Sequence, residues 1–249
     1  AAELLQHADQ ALYRAKANGR NGYAFFNPQR DAETRHNLDI EQGLRHGLLE
    51  GQFRLHYQPI VDTNHGDTVA WEALLRWQHP QLGLLTPDAF LKLAEHSGLI
   101  LPIGQWVLET ACRQHAYWVA QGVTKGSIAV NISAHQFRQA DFCEQVSDVL
   151  SRTGLPAHLL ELEVTEGVVM QGIELVLHKL NKLRELGVTP AIDDFGTGYS
   201  SLNYLKQFPL HRLKIDQSFT HGLSSDQESG AITKAIIQMG LSLGLDVLA

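Results

Sequence analysis

Apolar and polar positions divide the chain into a short helix, a polar connector and a long alternation of strands and helices. Leu4, Leu5, Ala8, Ala11, Leu12 and Ala15 fall at helical spacing over 4–16, and Gly19 with Asn21-Gly22 marks a stop. An aromatic stretch, Tyr23 to Phe26, leads into a polar connector from Asn27 to about His36. Beyond it the spacing predicts helices over 40–49, 87–96, 103–120, 142–152, 173–186, 200–206 and 230–243. Strands are predicted over 55–61, 69–77, 127–133, 159–165, 188–193 and 212–216, with another opening at 246–249.

Repeated strand–helix units imply a parallel sheet, because parallel strands need crossover helices. At least six strands in one series favour a closed (β/α) barrel over an open doubly wound sheet. No Gly-x-Gly-x-x-Gly turn follows the first strand, which lowers the dinucleotide-fold reading. In such barrels the active site sits at the C-terminal ends of the strands.

Buried parallel strands normally read as apolar runs. Here five strands carry polar groups near that end, and alternation puts them in one phase. Glu72 and Arg76 oppose Trp71, Ala73 and Leu75, and Asn131 opposes Val130 and Ile132. Glu163 opposes Leu162 and Val164, Asp193 opposes Ile192, and Lys214 with Asp216 opposes Leu213 and Ile215. The polar phase is expected to line the barrel mouth. Oxygen donors from Glu72, Asn131, Glu163 and Asp193 converging there must share protons, pair with cations or bind metal. Arg76 and Lys214 are the cations at hand. An all-oxygen set suits Mg²⁺ or Mn²⁺ rather than zinc, and adjacent Asp193-Asp194 can reach two ions, about 3.5–4 Å apart in phosphodiester-cleaving sites. Any one of these residues alone reads as a strand-end cap or salt-bridge partner. The repetition on five strands points to a shared site.

The run from Asp193 to Ser201 leaves a strand through two glycines and enters a helix. An ordinary Gly-rich loop would look the same; beside the Asp pair it is read as a loop that senses or covers bound phosphate. The remaining chemistry is sparse. None of the 13 histidines forms a metal-spaced pair on a strand end, and the four tryptophans read as core. Cys112 and Cys143 fit no disulfide or zinc spacing and read as buried thiols of a reducing compartment. A formal net charge of −7 speaks against a binder of polymeric nucleic acid. With 44% hydrophobic residues the core is ample, yet no run is long enough to span a membrane and no signal peptide is present.

Glu72-Ala73-Leu74-Leu75-Arg76-Trp77, Tyr57-Gln58-Pro59-Ile60-Val61, Asn131-Ile132-Ser133, Glu163-Val164-Thr165-Glu166, the Asp193–Ser201 loop and Leu213-Lys214-Ile215-Asp216 stand in order along the chain. On these motifs, residues 38–249 resemble the EAL-domain family, bacterial hydrolases that linearise cyclic di-GMP to pGpG. The resemblance implies an α/β fold, a (β/α)8 TIM-like barrel of EAL type whose first strand runs antiparallel to the rest. It implies Glu72, Asn131, Glu163 and Asp193 as ligands of a first metal, with Asp193 and Asp194 reaching a second, both Mg²⁺ or Mn²⁺. Lys214 would orient the attacking water or hold phosphate charge, with Asp194 beside it. Glu166 would anchor the loop of Phe195, Gly196, Gly198, Tyr199 and Ser200. Gln58, Leu75 and Arg76 would contact substrate, as would Asp216. The alternative within the family is a receptor that holds cyclic di-GMP without cutting it.

Ala8 to Asn21 resembles the last helix of a GGDEF (diguanylate cyclase-like) domain. The expected organisation is therefore a GGDEF remnant over 1–26, a linker over 27–37 and the phosphodiesterase domain over 38–249. The chain starts at Ala1 and ends just after the seventh strand opens. The resemblance places a further metal-binding glutamate next, so the expectation is a truncated barrel with an incomplete second-metal shell, weakly active beside its parent. The expected setting is cytoplasmic, with pairing into a homodimer and membrane anchoring of the parent left open.

Overall fold

The computed structural model describes Ala8, Leu12, Tyr23 and residues 28–169, 172–197, 205–221 and 227–249, and the statements that follow concern these residues. Of the helix expected over 4–16, and of the GGDEF-like segment within it, Ala8 and Leu12 are described, both helical and exposed. The helix over 200–206 lies outside the described residues apart from Leu205 and Lys206.

The first helix, α1, runs Pro28–Leu49, so most of the segment read as a polar connector is helical. Proline at the first helical position has its fixed φ pre-set and no N–H to satisfy, and Ala32 and Glu33 favour the helix that follows. Polarity had hidden the part of this helix before the expected 40–49; among the described side chains, Ile40 and Leu44, one turn apart, are its fully buried apolar positions at 0% exposure. They lie where α1 meets Trp77, whose indole would stand 2.8 Å from a Cβ at Gly47 and 3.0 Å from one at Gly43.

Strands β1 (Phe53–Val61) and β2 (Thr68–His79) form an antiparallel hairpin that sets Gln58 opposite Glu72. A strand absent from the sequence reading, β3 (Gly83–Leu85), folds back on the end of β2 and carries it past Trp77 to His79. The expected helix over 87–96 is a single 3-10 turn at Pro87–Ala89 followed by α2 (Leu91–His96). Phe90 breaks it, with φ −140° and its ring driven into the core beside Phe53 and Trp77. Helix α3 (Ile100–Ala120) begins three residues earlier than expected, because Pro102 falls in the first turn, where no donor is required.

Next come β4 (Ser127–Ile132), α4 (Ala134–Arg138), α5 (Phe142–Thr153), β5 (Leu160–Thr165), α6 (Glu166–Val169) and α7 (Ile173–Glu185). The described residues end with β6 (Thr189–Phe195), β7 (Arg212–Ile215), α8 (Gln217–Thr220), α9 (Gln227–Ser242) and β8 (Asp246–Leu248). The one-turn helices α4, α6 and α8 follow strands directly and are too short to leave a periodic signal. Ser133 marks α4 through a capping box with Gln136.

The sheet order is β1-β2-β4-β5-β6-β7-β8, with every pair from β2 to β8 along this path parallel and β1 antiparallel. This is the curled, mostly parallel sheet of a TIM-like barrel, with the antiparallel first strand that the resemblance implied. Ile128, Val130, Ile132, Leu162, Val164, Ile192 and Leu213 belong to one core cluster with Ile103, Val107 and Leu108 of α3. The apolar phase of the strands therefore faces the helices, and the polar phase is left for the interior.

Gly126 locks β4 against β2. A Cβ there would stand 2.2 Å from the Val69 carbonyl oxygen, and its own carbonyl accepts the His115 Nε2 proton at 2.8 Å. Gly126→Ala is expected to lower unfolding free energy by about 1–3 kcal/mol in urea titrations; an unchanged midpoint would contradict the contact. His115 is fully buried, and burial lowers its pKa from 6.5. The unfolded chain then takes up a proton that the folded chain resists, so this contribution to stability is complete above pH 6.5 and is lost as pH falls below it. The melting temperature of the wild type should drop over that window, and His115→Gln should flatten the slope.

Candidate active site

Alternation along five parallel strands delivers the predicted polar side chains to one point. Lys214 Nζ lies 2.6 Å from Glu163 Oε2 and 3.2 Å from both Glu72 Oε1 and Asp193 Oδ2. Asn131 Nδ2 donates to Glu72 Oε1 at 2.8 Å, which leaves its amide oxygen as the atom a cation could use. One oxygen from each of Glu72, Glu163 and Asp193 lies within 4.8 Å of the others, the spacing of a metal-ligand set. Arg76, the second cation expected here, turns aside to donate to the Leu75 carbonyl at 2.7 Å.

Three carboxylates against one ammonium leave two negative charges in excess when all are ionised. Glu163 responds most: burial, only partly offset by Lys214, pushes its carboxyl up to about 8. Burial pulls Lys214 down, but Glu163, Asp193 and Glu72 outweigh it and hold the ammonium above its usual range. Glu163 Oε1 is buried and has no hydrogen-bond partner among the described residues. An unpartnered carboxylate oxygen in an over-charged, all-oxygen cluster is the chemistry a divalent cation satisfies, so the residues present fit a hard metal ion.

Asp194 does not point into this cluster as its neighbour does. At φ 55° it is the one non-glycine described residue in the left-handed region, a strain of roughly 1–2 kcal/mol. Its N–H donates to Asp193 Oδ1 at 2.9 Å, and its carbonyl accepts from the Thr197 hydroxyl at 2.9 Å. Burial, Asp193 and Asp216 raise its pKa, and it shares a hydrogen bond with Asp216, whose own carboxyl is held low chiefly by Ser218. Asp216 caps α8, its side chain accepting from the Ser218 N–H. After Phe195, 5% exposed, Gly196 takes φ 103° and donates its N–H to Glu166 Oε2 at 2.9 Å. A Cβ at Gly196 would lie 2.7 Å from the Phe219 ring, so the turn requires glycine twice over. Gly198, Tyr199 and Ser200 lie outside the described residues.

Gln58 is exposed on β1 beside Glu72. Leu75 lies on the opposite face of β2, 9% exposed, and lines an apolar cavity of about 340 Å³ with Ile103 and Val107. It is not brought to the acid cluster; its carbonyl instead holds Arg76.

The sequence reading passed over a second ion pair. Arg212 Nη1 reaches both oxygens of Glu161 at 2.9 Å, and both residues are buried. Glu161 stands two residues before Glu163 and Arg212 two before Lys214, so the pair sits one layer deeper on the same strands. Ala191, paired through Cα with Glu163 on one side and Arg212 on the other, is small enough to let these side chains meet across β6. The phase that revealed Glu163 and Lys214 was the available signal.

A family model described as the EAL domain matches residues 41–249. The bifunctional diguanylate cyclase/cyclic di-GMP phosphodiesterase MucR of Pseudomonas aeruginosa is 47% identical over 248 residues, 99% of this chain and 36% of that protein. The cyclic di-GMP phosphodiesterase NbdA of the same organism is 44% identical over 247 residues, 99% of this chain and 32% of that protein. The chain thus spans about a third of these curated relatives. A solved structure of the PaMucR phosphodiesterase in complex with c-di-GMP superposes with a TM-score of 0.82 at 46% identity, covering 84% of this chain and 85% of that one.

Arg212→Met would leave Glu161 buried without its cation and is expected to cost about 3–5 kcal/mol in urea unfolding; Glu161→Leu with Arg212→Met should recover most of the loss. A double variant as unstable as the single one would refute the pairing.

Proposed function

Because the chain belongs to the EAL domain family, we propose that its acid cluster hydrolyses cyclic di-GMP to linear pGpG. The observation that carries this reading is the convergence of Glu72, Glu163 and Asp193 around Lys214, with an orphaned oxygen on Glu163. A receptor that only held the dinucleotide would have no chemical use for that arrangement. The names of the relatives MucR and NbdA, and the ligand in the PaMucR structure, support the same substrate.

In this reading Glu72, Asn131, Glu163 and Asp193 hold one Mg²⁺ or Mn²⁺, and Asp193 and Asp194 contribute to a second. Such ions supply Lewis-acid stabilisation of phosphoryl charge and a more acidic water. Lys214 donates hydrogen bonds to the attacking water or to the phosphate, a task suited to a compact cation already fixed by three carboxylates. Water oxygen bonds to phosphorus in line with the departing sugar oxygen and gives up a proton, the P–O bond on that side breaks, and the departing sugar oxygen takes up a proton to become a hydroxyl. Glu166 keeps the loop at Gly196 in place through one charge-assisted hydrogen bond. Gln58, Arg76 and Asp216 contact the dinucleotide. The segment over 8–21 is read as the end of a GGDEF domain, in keeping with the match to MucR over 99% of this chain. Among the described residues no helix is long and apolar enough to cross a membrane.

The test is chromatographic detection of pGpG from cyclic di-GMP with Mg²⁺ or Mn²⁺. Glu72→Gln and Asp193→Asn should each lower kcat by about 10²–10³-fold or more, and EDTA should abolish turnover. Turnover that survives EDTA, or binding of cyclic di-GMP without any turnover, would overturn the proposal.

A further inference from the structure

The helix side of the sheet carries a second concentration of charge, opposite in sign to the acid cluster. A cavity of about 240 Å³ between α4, α5 and α7 is lined by Arg138, His178, Lys179 and Lys182, with Cys143 and Leu175 as further walls. Among the described residues no carboxylate lines it, although the chain as a whole is acidic by seven charges. None of these residues belongs to the candidate active site.

Lys179 is the unusual member. It is 5% exposed, and its Nζ donates to the carbonyls of Phe137 and Gln139 at 2.6 Å each. A lysine ammonium has three donors, and two are used there. The carbonyls, at the end of α4, and the Phe137 ring, its centroid 5.6 Å from Nζ, offer partial charge only. Among the described residues no carboxylate pairs with Lys179; Glu144 and Asp141 act on it only through space. A buried cation without a counter-anion is costly, and an anion entering the cavity would relieve that cost. Lys182 is ion-paired with Glu144, but both are well exposed at 42% and 54%. Such a pair contributes little and exchanges readily for a better partner.

We propose that this cavity binds a phosphate group, as inorganic phosphate or as a phosphomonoester, with Lys179 as the buried anchor and Arg138 and Lys182 as flanking cations. A phosphate dianion matches several positive donors from different elements better than a monovalent ion does, because each contact is charge-assisted. The cavity also exceeds what a halide would fill. Bound there, the anion would tie the C-terminal end of α4, the first helix after the strand of Asn131, to α7.

The test is calorimetric titration of the protein in EDTA, so that no divalent ion in the acid cluster recruits the anion. Inorganic phosphate and adenosine 5′-monophosphate are titrated separately. Saturable binding with Kd on the order of 1 mM or tighter is expected for at least one of them. Tighter binding of the nucleotide assigns the site to phosphomonoesters, and equal or weaker binding assigns it to free phosphate. Arg138→Ala with Lys182→Ala, both at the cavity rim, should weaken binding about tenfold or more while leaving the melting temperature without phosphate close to wild type. Lys179→Met, if it folds, should abolish binding. No saturation by either anion at tens of millimolar, or unchanged affinity in the double variant, would overturn the proposal.

Discussion

Everything at the open end of this sheet depends on how four charged side chains are kept inside it. Lys214 holds Glu72, Glu163 and Asp193 within hydrogen-bonding or ion-pair reach of one nitrogen. Buried carboxylates at that spacing repel one another, and no single ammonium can balance them. The excess appears as the raised pKa of Glu163 and as its unpartnered Oε1. The fold thus stores an unmet demand for positive charge at one point. A divalent cation would meet it, and under the proposed function a phosphodiester brought against that cation would find the electrostatics it needs for attack by water. The deeper Glu161–Arg212 pair answers the same constraint differently: both Glu161 oxygens are matched by the guanidinium, which also lies 3.7 Å from Asp246 Oδ2.

The layer arrangement explains why this demand is placed so accurately. Glu161 and Glu163 share one phase of β5, Arg212 and Lys214 the same phase of β7, and Ala191 clears the space between them. Strand geometry, not loop conformation, sets these positions. The second carboxylate of the Asp pair is handled by the backbone instead. Asp194 sits in a strained left-handed conformation that turns it away from Asp193 and toward Asp216, and Gly196 then fastens the turn to Glu166. Adjacent residues therefore acquire separate environments, which is what a pair serving two cations would require.

Much of this was legible in the residues because a buried strand tolerates few polar groups. Glu72, Asn131, Glu163, Asp193 and Lys214 stood out against the apolar phase, and the structure brings them together. The same rule applied one step further would have exposed Glu161 and Arg212, which were passed over as ordinary strand residues. Arg76 shows the limit of phase alone: it shares the phase of Glu72 yet spends a donor on the Leu75 carbonyl. The first half of α1 was hidden by its polarity, and Phe90 split an expected helix because its ring was drawn into the core. In each case a tertiary contact, invisible to local spacing, decided the outcome. The motifs, by contrast, carried the family without any knowledge of the fold.

The most direct check of the central claim is the position of Mn²⁺ located by its anomalous scattering in crystals of the protein. The account predicts a peak about 2.1 Å from oxygens of Glu72, Asn131, Glu163 and Asp193, with Lys214 Nζ displaced from its central contact with the carboxylates. A peak elsewhere, or Lys214 still seated among carboxylates at saturating Mn²⁺, would contradict it.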